Sequence, residues 1–139
     1  MPSDLELFHE LSFYTLAHPD PAFIHQLSVD AFTAQHAEEA TKPMAVVFAL
    51  LGLYLHIEKG FTGKQVQRAH MRLAKHRRQW PRLPLPRKQA GITVADVVRA
   101  APGVARDAMI EQWCVSVWEV WQESRDAIAD LAKMELQVG

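Results

Sequence analysis

The sequence predicts an all-α chain: a single-domain helical bundle of five or six helices over residues 1–139, with a long C-terminal helix and an extended Pro-rich linker. Three observations predict it. Apolar residues recur every three or four positions, the period of a helix with a buried face. Strand-like alternation is nearly absent. Capping residues, prolines and glycines punctuate the chain at intervals suited to helices. With 49% apolar and 22% charged residues, the 139-residue chain has the composition and size of one globular domain with one core.

Ser3 and Glu6 have capping-box spacing, and a helix over about Asp4–Ala17 follows. Leu5, Phe8, Leu11, Ser12 and Leu16 recur along it, and His18-Pro19-Asp20-Pro21 ends it. A second helix is expected over about Pro21–Ala37. Phe23, Leu27, Ala31 and Ala34 make one stripe; His25, Val29, Phe32 and His36 make another, as in a helix held between neighbours. Pro43 opens a third helix that stops at Gly60. Its stretch Met44–Ile57 is apolar on all faces, which suits the middle of a core. At 1.5 Å per residue it spans roughly 21 Å, too short to cross a bilayer.

Thr62 and Gln65 repeat the capping-box spacing and start a helix to about Arg78. Val66, Ala69 and Leu73 face inward on it, and Lys64, Arg68, Arg72 and Lys75 outward. Residues 79–92 follow. Pro81, Pro84 and Pro86 forbid a helix there and favour a polyproline-II path. Trp80, Leu83 and Leu85 mark it as a linker packed onto something. Thr93 and Asp96 cap a short helix that ends before Pro102-Gly103. The last helix is the longest, about Val104–Leu136. Ile110, Trp113, Val117, Val120, Ser124, Ala127, Leu131 and Met134 form a heptad seam, widened by Cys114, Trp118 and Trp121. If its latter half projects beyond the bundle, the seam needs a second chain to cover it. A homodimer is therefore the expected partner state.

Formal net charge is −1, so the whole molecule is neither a polyanion binder nor an acidic tail. The one cysteine, Cys114, excludes an internal disulfide and a CxxC zinc motif, and it suits a reducing, cytoplasmic compartment. The first residues, MPSDLELFHE, are acidic where a secretory segment is basic and then apolar. Neither a membrane span nor a signal segment is expected.

Four stretches carry a resemblance: VDAFTAQH (Val29–His36), WPRLPLP (Trp80–Pro86), GITVADV (Gly91–Val97) and WCVSVWEVW (Trp113–Trp121). Their order and spacing resemble a bacterial all-helical domain family of unknown function. The resemblance runs from about Phe23 to Trp121 and implies a fold but no reaction. It also implies that the Pro-rich segment packs on its own bundle, under the tryptophans of the last helix. The family pattern often has a histidine around Phe48 or Ala49 and an N-terminal cysteine pair; this chain has neither.

Candidate chemistry centres on Asp30, Gln35 and His36. Imidazole is a common metal ligand, and a carboxylate can share or orient it, so an acid–base or metal-dependent enzyme is one reading. Asp30 and His36, however, are six residues apart, about 240° around a helix. A metal site therefore needs His9, His56 or His70 beside His36. The plainer reading makes Asp30 and His36 polar anchors bonded to a neighbouring helix end or to the Trp80 loop. No HExxH, HxH, glycine-rich nucleotide loop or GxSxG motif occurs, so no cofactor is implied by motif.

The span Lys59–Lys88 holds ten Lys or Arg and no acid. Arg68, Arg72, Lys75 and Arg78, with Arg77, are candidates for phosphate contact, and Trp80 for base stacking. The plainer reading sets these cations against the acidic first half, residues 1–58, when the chain folds. Arg78-x-x-Pro81-x-x-Pro84 also has the general form of a ligand for a PxxP-reading domain. Cys114 and the tryptophans read as packing. The first reading is a binding or interaction module that self-associates; the enzyme and the polyanion or nucleic-acid binder stand as alternatives. Neither substrate nor pathway is legible.

Overall fold

The computed structural model describes every residue except His18, Pro19 and Arg77. The His18-Pro19 stop signal and the Arg77 phosphate candidate thus lie outside the described residues. Among the described residues there are seven α-helices: α1 Asp4–Ala17, α2 Ile24–Gln35, α3 Pro43–Lys59, α4 Gly63–Ala74, α5 Val94–Arg99, α6 Val104–Val120 and α7 Arg125–Leu136. A one-turn 3-10 helix, Gln122–Ser124, joins α6 to α7, and no strand occurs among these residues. No described helix is long and apolar enough to cross a membrane.

Local chemistry sets the helix ends. The Asp20 carboxylate accepts from the backbone N–H of Ala22 (2.9 Å) and Ile24 (3.0 Å), so α2 starts three residues later than Pro21. The Thr62 hydroxyl accepts from Gln65 N–H, and the Gln65 side chain accepts from Thr62 N–H, the reciprocal pair that opens α4. Asp96 closes a similar box with Thr93 on α5. α4 ends at Ala74 and not at Arg78.

α3 is the axis of the bundle. α2, α4, α6 and α7 pack around it. Most of Val46–Leu55 is buried, as an all-round apolar helix must be. On α1 the apolar positions split between two faces. Leu11, Tyr14 and Thr15 are buried, whereas Leu5, Phe13 and Leu16 stand 53%, 79% and 60% exposed. The expected stripe had merged these faces.

The C-terminal helical stretch runs as predicted to Leu136, but it is interrupted at Trp121–Ser124. Its buried face also departs from a strict heptad. Ile110, Trp113, Val117, Ser124 and Leu131 are buried as expected, yet Ala127 and Met134 are exposed. Ile128, Ala132 and Leu136 take their place. A helix near 3.6 residues per turn drifts about 20° per heptad from a 3.5 repeat, so two to three heptads move the face by about half a position, and the 3-10 turn at Gln122–Ser124 resets the phase before α7. That face packs on α3 and α4 of the same chain. The seam that motivated a homodimer is therefore covered internally.

Three tryptophans of this stretch tie it to α2 and α3. Trp113 donates its indole N–H to Gln35 Oε1 (2.8 Å), Trp118 to Glu58 Oε2 (2.9 Å) and Trp121 to the Ala34 carbonyl (3.3 Å). Buried indoles need such acceptors.

The Pro-rich segment forms an extended strap. Its exposure repeats every third residue: Trp80, Leu83 and Pro86 are half-buried, while Pro81, Arg82, Pro84, Leu85, Arg87 and Lys88 are exposed. Three residues per turn is the polyproline-II period. Trp80 sets its edge on Phe48, with ring centroids 5.3 Å apart, and Arg78 lies over the Trp80 ring. Arg82 donates to the Glu39 carbonyl (2.8 Å). Ile92 ends the strap: its N–H reaches Ser116 Oγ, and its carbonyl accepts from Gln35 Nε2.

Candidate functional site

The three polar residues of VDAFTAQH go to three different places. Gln35 bridges Ile92 and Trp113, pinning the end of the strap and α6 to α2. His36 caps α2: its Nδ1 bonds the Phe32 carbonyl (3.0 Å) and its Nε2 meets Asp4 of α1 (3.0 Å). Asp30 points into the core and is 2% exposed. The structure does not bring Asp30 and His36 together, as their spacing around the helix indicated.

Asp30 instead joins a hub that the sequence only half revealed. Gln26, one turn earlier on α2, donates its amide to Asp30 Oδ1 (3.1 Å) and lies 3.3 Å from His70 Nδ1. His70, on α4, donates Nε2–H to the Phe48 carbonyl of α3 (2.7 Å). Nδ1 then carries the lone pair, and the Gln26 amide can serve both neighbours. His70 Nε2 is 3.9 Å from Asp30 Oδ2. Oδ2 itself has no hydrogen-bond partner among the described residues and rests on Gly52 of α3. A Cβ at Gly52 would fall 1.9 Å from that oxygen. Glycine is thus required for α2 to lay a carboxyl against the α3 backbone.

Burial sets the electrostatics. It pushes the Asp30 carboxyl well above the usual carboxylate range, and the Gln26 hydrogen bond offsets only part of this. It also lowers His70 below an ordinary imidazole. A neutral acid beside a neutral imidazole costs less in a core than an ion pair would. Cys114 is buried too, and burial raises its thiol well above the ordinary value; its Sγ faces the Leu27 carbonyl (3.6 Å). With the His70 proton held by Phe48 and the ring largely covered, the hub joins α2, α3 and α4 and offers no open nitrogen to a substrate.

The other candidate ligands are also committed or apart. His56 Nε2 meets the Glu111 carboxylate of α6 (2.7 Å), and its Nδ1 meets the Phe61 carbonyl (2.6 Å). The Glu111 bond leads in raising the His56 pKa. His25 is hydrogen-bonded to Thr15 of α1 (2.9 Å). His76 bonds Glu135 of α7 (2.8 Å). His9 is on the exposed side of α1. Among the described residues, no three His, Cys, Asp or Glu side chains converge as a metal would require. At the place where the family pattern often has histidine, the Phe48 ring lies 5.5 Å from the His70 ring.

The basic segment is partly neutralised, and by α7 more than by the acidic first half. Arg78 pairs with Glu135, and Arg72 donates to Gln137 Oε1 (2.8 Å). Arg68 and Lys75 are exposed and form no ion pair among the described residues. A shallow cleft of about 210 Å³ adjoins this face, lined by Arg68 and Arg72 with Phe61 and Leu136, and two larger ones lie along the strap. One cleft of about 510 Å³ runs beside it, between Leu83 and Leu85 on one side and Glu38, Glu39, Pro43 and Val46 on the other. A second, of about 430 Å³, lies across Pro84 and is bounded by Arg87, Lys88, Glu119, Trp121 and Glu123.

Two residues of the hub escaped the reading of the sequence, and both had a signal. Gln26 and Asp30 are four apart, a spacing at which Gln and Asp bond along a helix. Gly52 is an isolated glycine in an apolar helix, a mark of close approach.

Fold and site together define a class: an all-helical bundle whose buried polar groups tie helices to one another, with a Pro-rich non-helical segment over its surface. The chain belongs to the Family of unknown function (DUF5946), whose sequence model matches residues 5–122. No curated protein and no solved structure matches it.

Proposed function

We propose that the chain is a self-associating interaction module: a helical frame that carries a basic polyproline strap between two clefts. The strap carries this reading. Trp80, Leu83 and Pro86 anchor it, and the outward positions Pro81, Pro84, Leu85, Arg87 and Lys88 stay open to solvent. A polyproline-II ridge loses little conformational entropy on docking because it is already extended and held. The buried free thiol of Cys114 favours a reducing, cytoplasmic setting.

The alternatives have less support. An acid–base or metal-dependent enzyme on Asp30 and His36 needs side chains that here face different elements. A polyanion surface on α4 would rest mainly on Arg68 and Lys75, since Arg72 and Arg78 are engaged with the α7 end.

Sedimentation velocity of the untagged chain, from roughly 1 µM to 1 mM, tests self-association over the range of weak to moderate dimers. A concentration-dependent shift from monomer to dimer is the expected result. A chain that stays monomeric across the range sinks this reading.

A further inference from the structure

We infer that the strap of one copy docks in the Glu38–Glu39 cleft of a second copy, and the reverse, around a two-fold axis. The inference rests on the self-association proposed above and names its surface.

Shape is the first support. Polyproline-II geometry places Pro81, Pro84 and Arg87 in line on one face, a ridge about 19 Å long at 3.1 Å per residue. The neighbouring line is Arg82, Leu85 and Lys88. Pro84 borders both clefts, so the ridge stands between two grooves.

Charge is the second support. The ridge holds Arg82, Arg87 and Lys88, and no acid lies between Lys59 and Lys88. The grooves hold Glu38 and Glu39 on one side, Glu119 and Glu123 on the other. None of these four carboxylates forms an ion pair among the described residues, nor do Arg87 and Lys88. Each cleft is also lined by strap cations of its own chain, Arg82 in the first and Arg87 and Lys88 in the second, yet no ion pair closes there among the described residues, so these groups remain open to the complementary charges of a second copy. The apolar side chains deepest in the first groove, Val46 and Leu83, suit a proline ridge.

Symmetry is the third. Ridge and groove adjoin on the same face. A two-fold contact requires one patch to hold both halves of a complementary pair, so that residue i meets j and j meets i. The exposed α1 face with Leu5, Phe13 and Leu16 lacks this property: it carries the carboxylates Glu6 and Glu10 but no Lys or Arg of α1, so it does not hold both halves of a ridge-and-groove pair.

The test is a charge exchange on the full chain, read by sedimentation equilibrium, with circular dichroism to show that each variant is folded. Variant one is Glu38→Lys with Glu39→Lys. Variant two is Arg87→Glu with Lys88→Glu. Each alone places like charges at both halves of the contact, and its dimer should weaken at least about tenfold. An equal mixture restores opposite charges at both halves, so a heterodimer of nearly wild-type affinity should form. Self-association that neither variant weakens would overturn the strap interface and leave the module reading intact. Loss in both variants without rescue on mixing would overturn the ridge-to-groove pairing. Loss on Phe13→Ser with both charge variants still dimeric would move the interface to α1. A wild-type chain that never dimerises would overturn the inference and the self-association reading together.

Discussion

The hub beneath α2 and the strap across the surface handle charge in opposite ways. At the hub, Asp30, Gln26 and His70 are enclosed and hydrogen-bonded within the chain, and burial shifts Asp30 and His70 toward their neutral forms. Along the strap, Arg82, Arg87 and Lys88 stay exposed beside cleft carboxylates with which they form no ion pair among the described residues. Enclosure makes a polar group a matter of stability, because its partners are chosen once, on folding. Exposure leaves a group free to meet another molecule.

The sharpest way to break this contrast is Gly52→Ala. The added methyl would overlap Asp30 Oδ2, which the core holds in place. We expect a loss of about 3 kcal/mol, at the upper end of overpacking effects. Urea unfolding measures it. The double variant with Asp30→Ala should recover a large part, since the clash partner is gone. A Gly52→Ala chain as stable as wild type would show that α2 and α3 are looser than the contact implies.

A smaller effect follows from Asp30→Asn. Burial raises the folded pKa of Asp30, so between the unfolded value near 3.8 and the raised value the folded state holds the extra proton. Stability from this group is then complete below about pH 4 and declines as pH rises. His70 runs the other way, with a lowered folded pKa, so its loss comes as pH falls through about 6.5. Comparing wild type with Asp30→Asn at each pH separates the two. The variant should gain on wild type from pH 4 to pH 8, by on the order of 1–3 kcal/mol, the cost of an unsatisfied buried group. A wild type that gains instead would mean an ionised Asp30 paired with a charged His70, and the hub would then resemble an active site more than an anchor.

The smallest effect on stability belongs to the strap. Leu85→Asp changes an exposed position and should move the urea midpoint by less than about 0.5 kcal/mol. Sedimentation should show weaker self-association at the same time. A large stability loss would mean that Leu85 is an anchor like Leu83, and that the outward face is narrower than its exposure suggests.

Much of this molecule was legible one helix at a time. Thr62 with Gln65, Thr93 with Asp96, Pro43 and Gly60 act within a turn of themselves, so their spacing alone placed helix ends. The all-round apolar stretch marked α3 as central for the same local reason. Asp20 was missed as the start of α2 because a proline beside it offered a competing signal. The heptad seam was misphased because the stretch breaks at Trp121–Ser124 and each heptad drifts slightly from a 3.5 repeat, and only packing on α3 and α4 shows which face is covered. Asp30, Gln35 and His36 were legible as polar residues in a buried helix, but not as members of three separate contacts.

The all-helical class, the central position of α3 and the absence of helix across the prolines were legible in the sequence itself, because capping, periodicity and proline stereochemistry act over a few residues; five or six helices were expected where seven form among the described residues, since the break at Trp121–Ser124 splits the last one. Tertiary structure alone decided that Asp30 meets Gly52 and His70 while His36 meets Asp4, and that Arg78 turns to Glu135 while Arg87 faces open clefts. Those pairings join residues from 22 to 57 positions apart. Their geometry is set by how the helices cross, which local spacing does not encode.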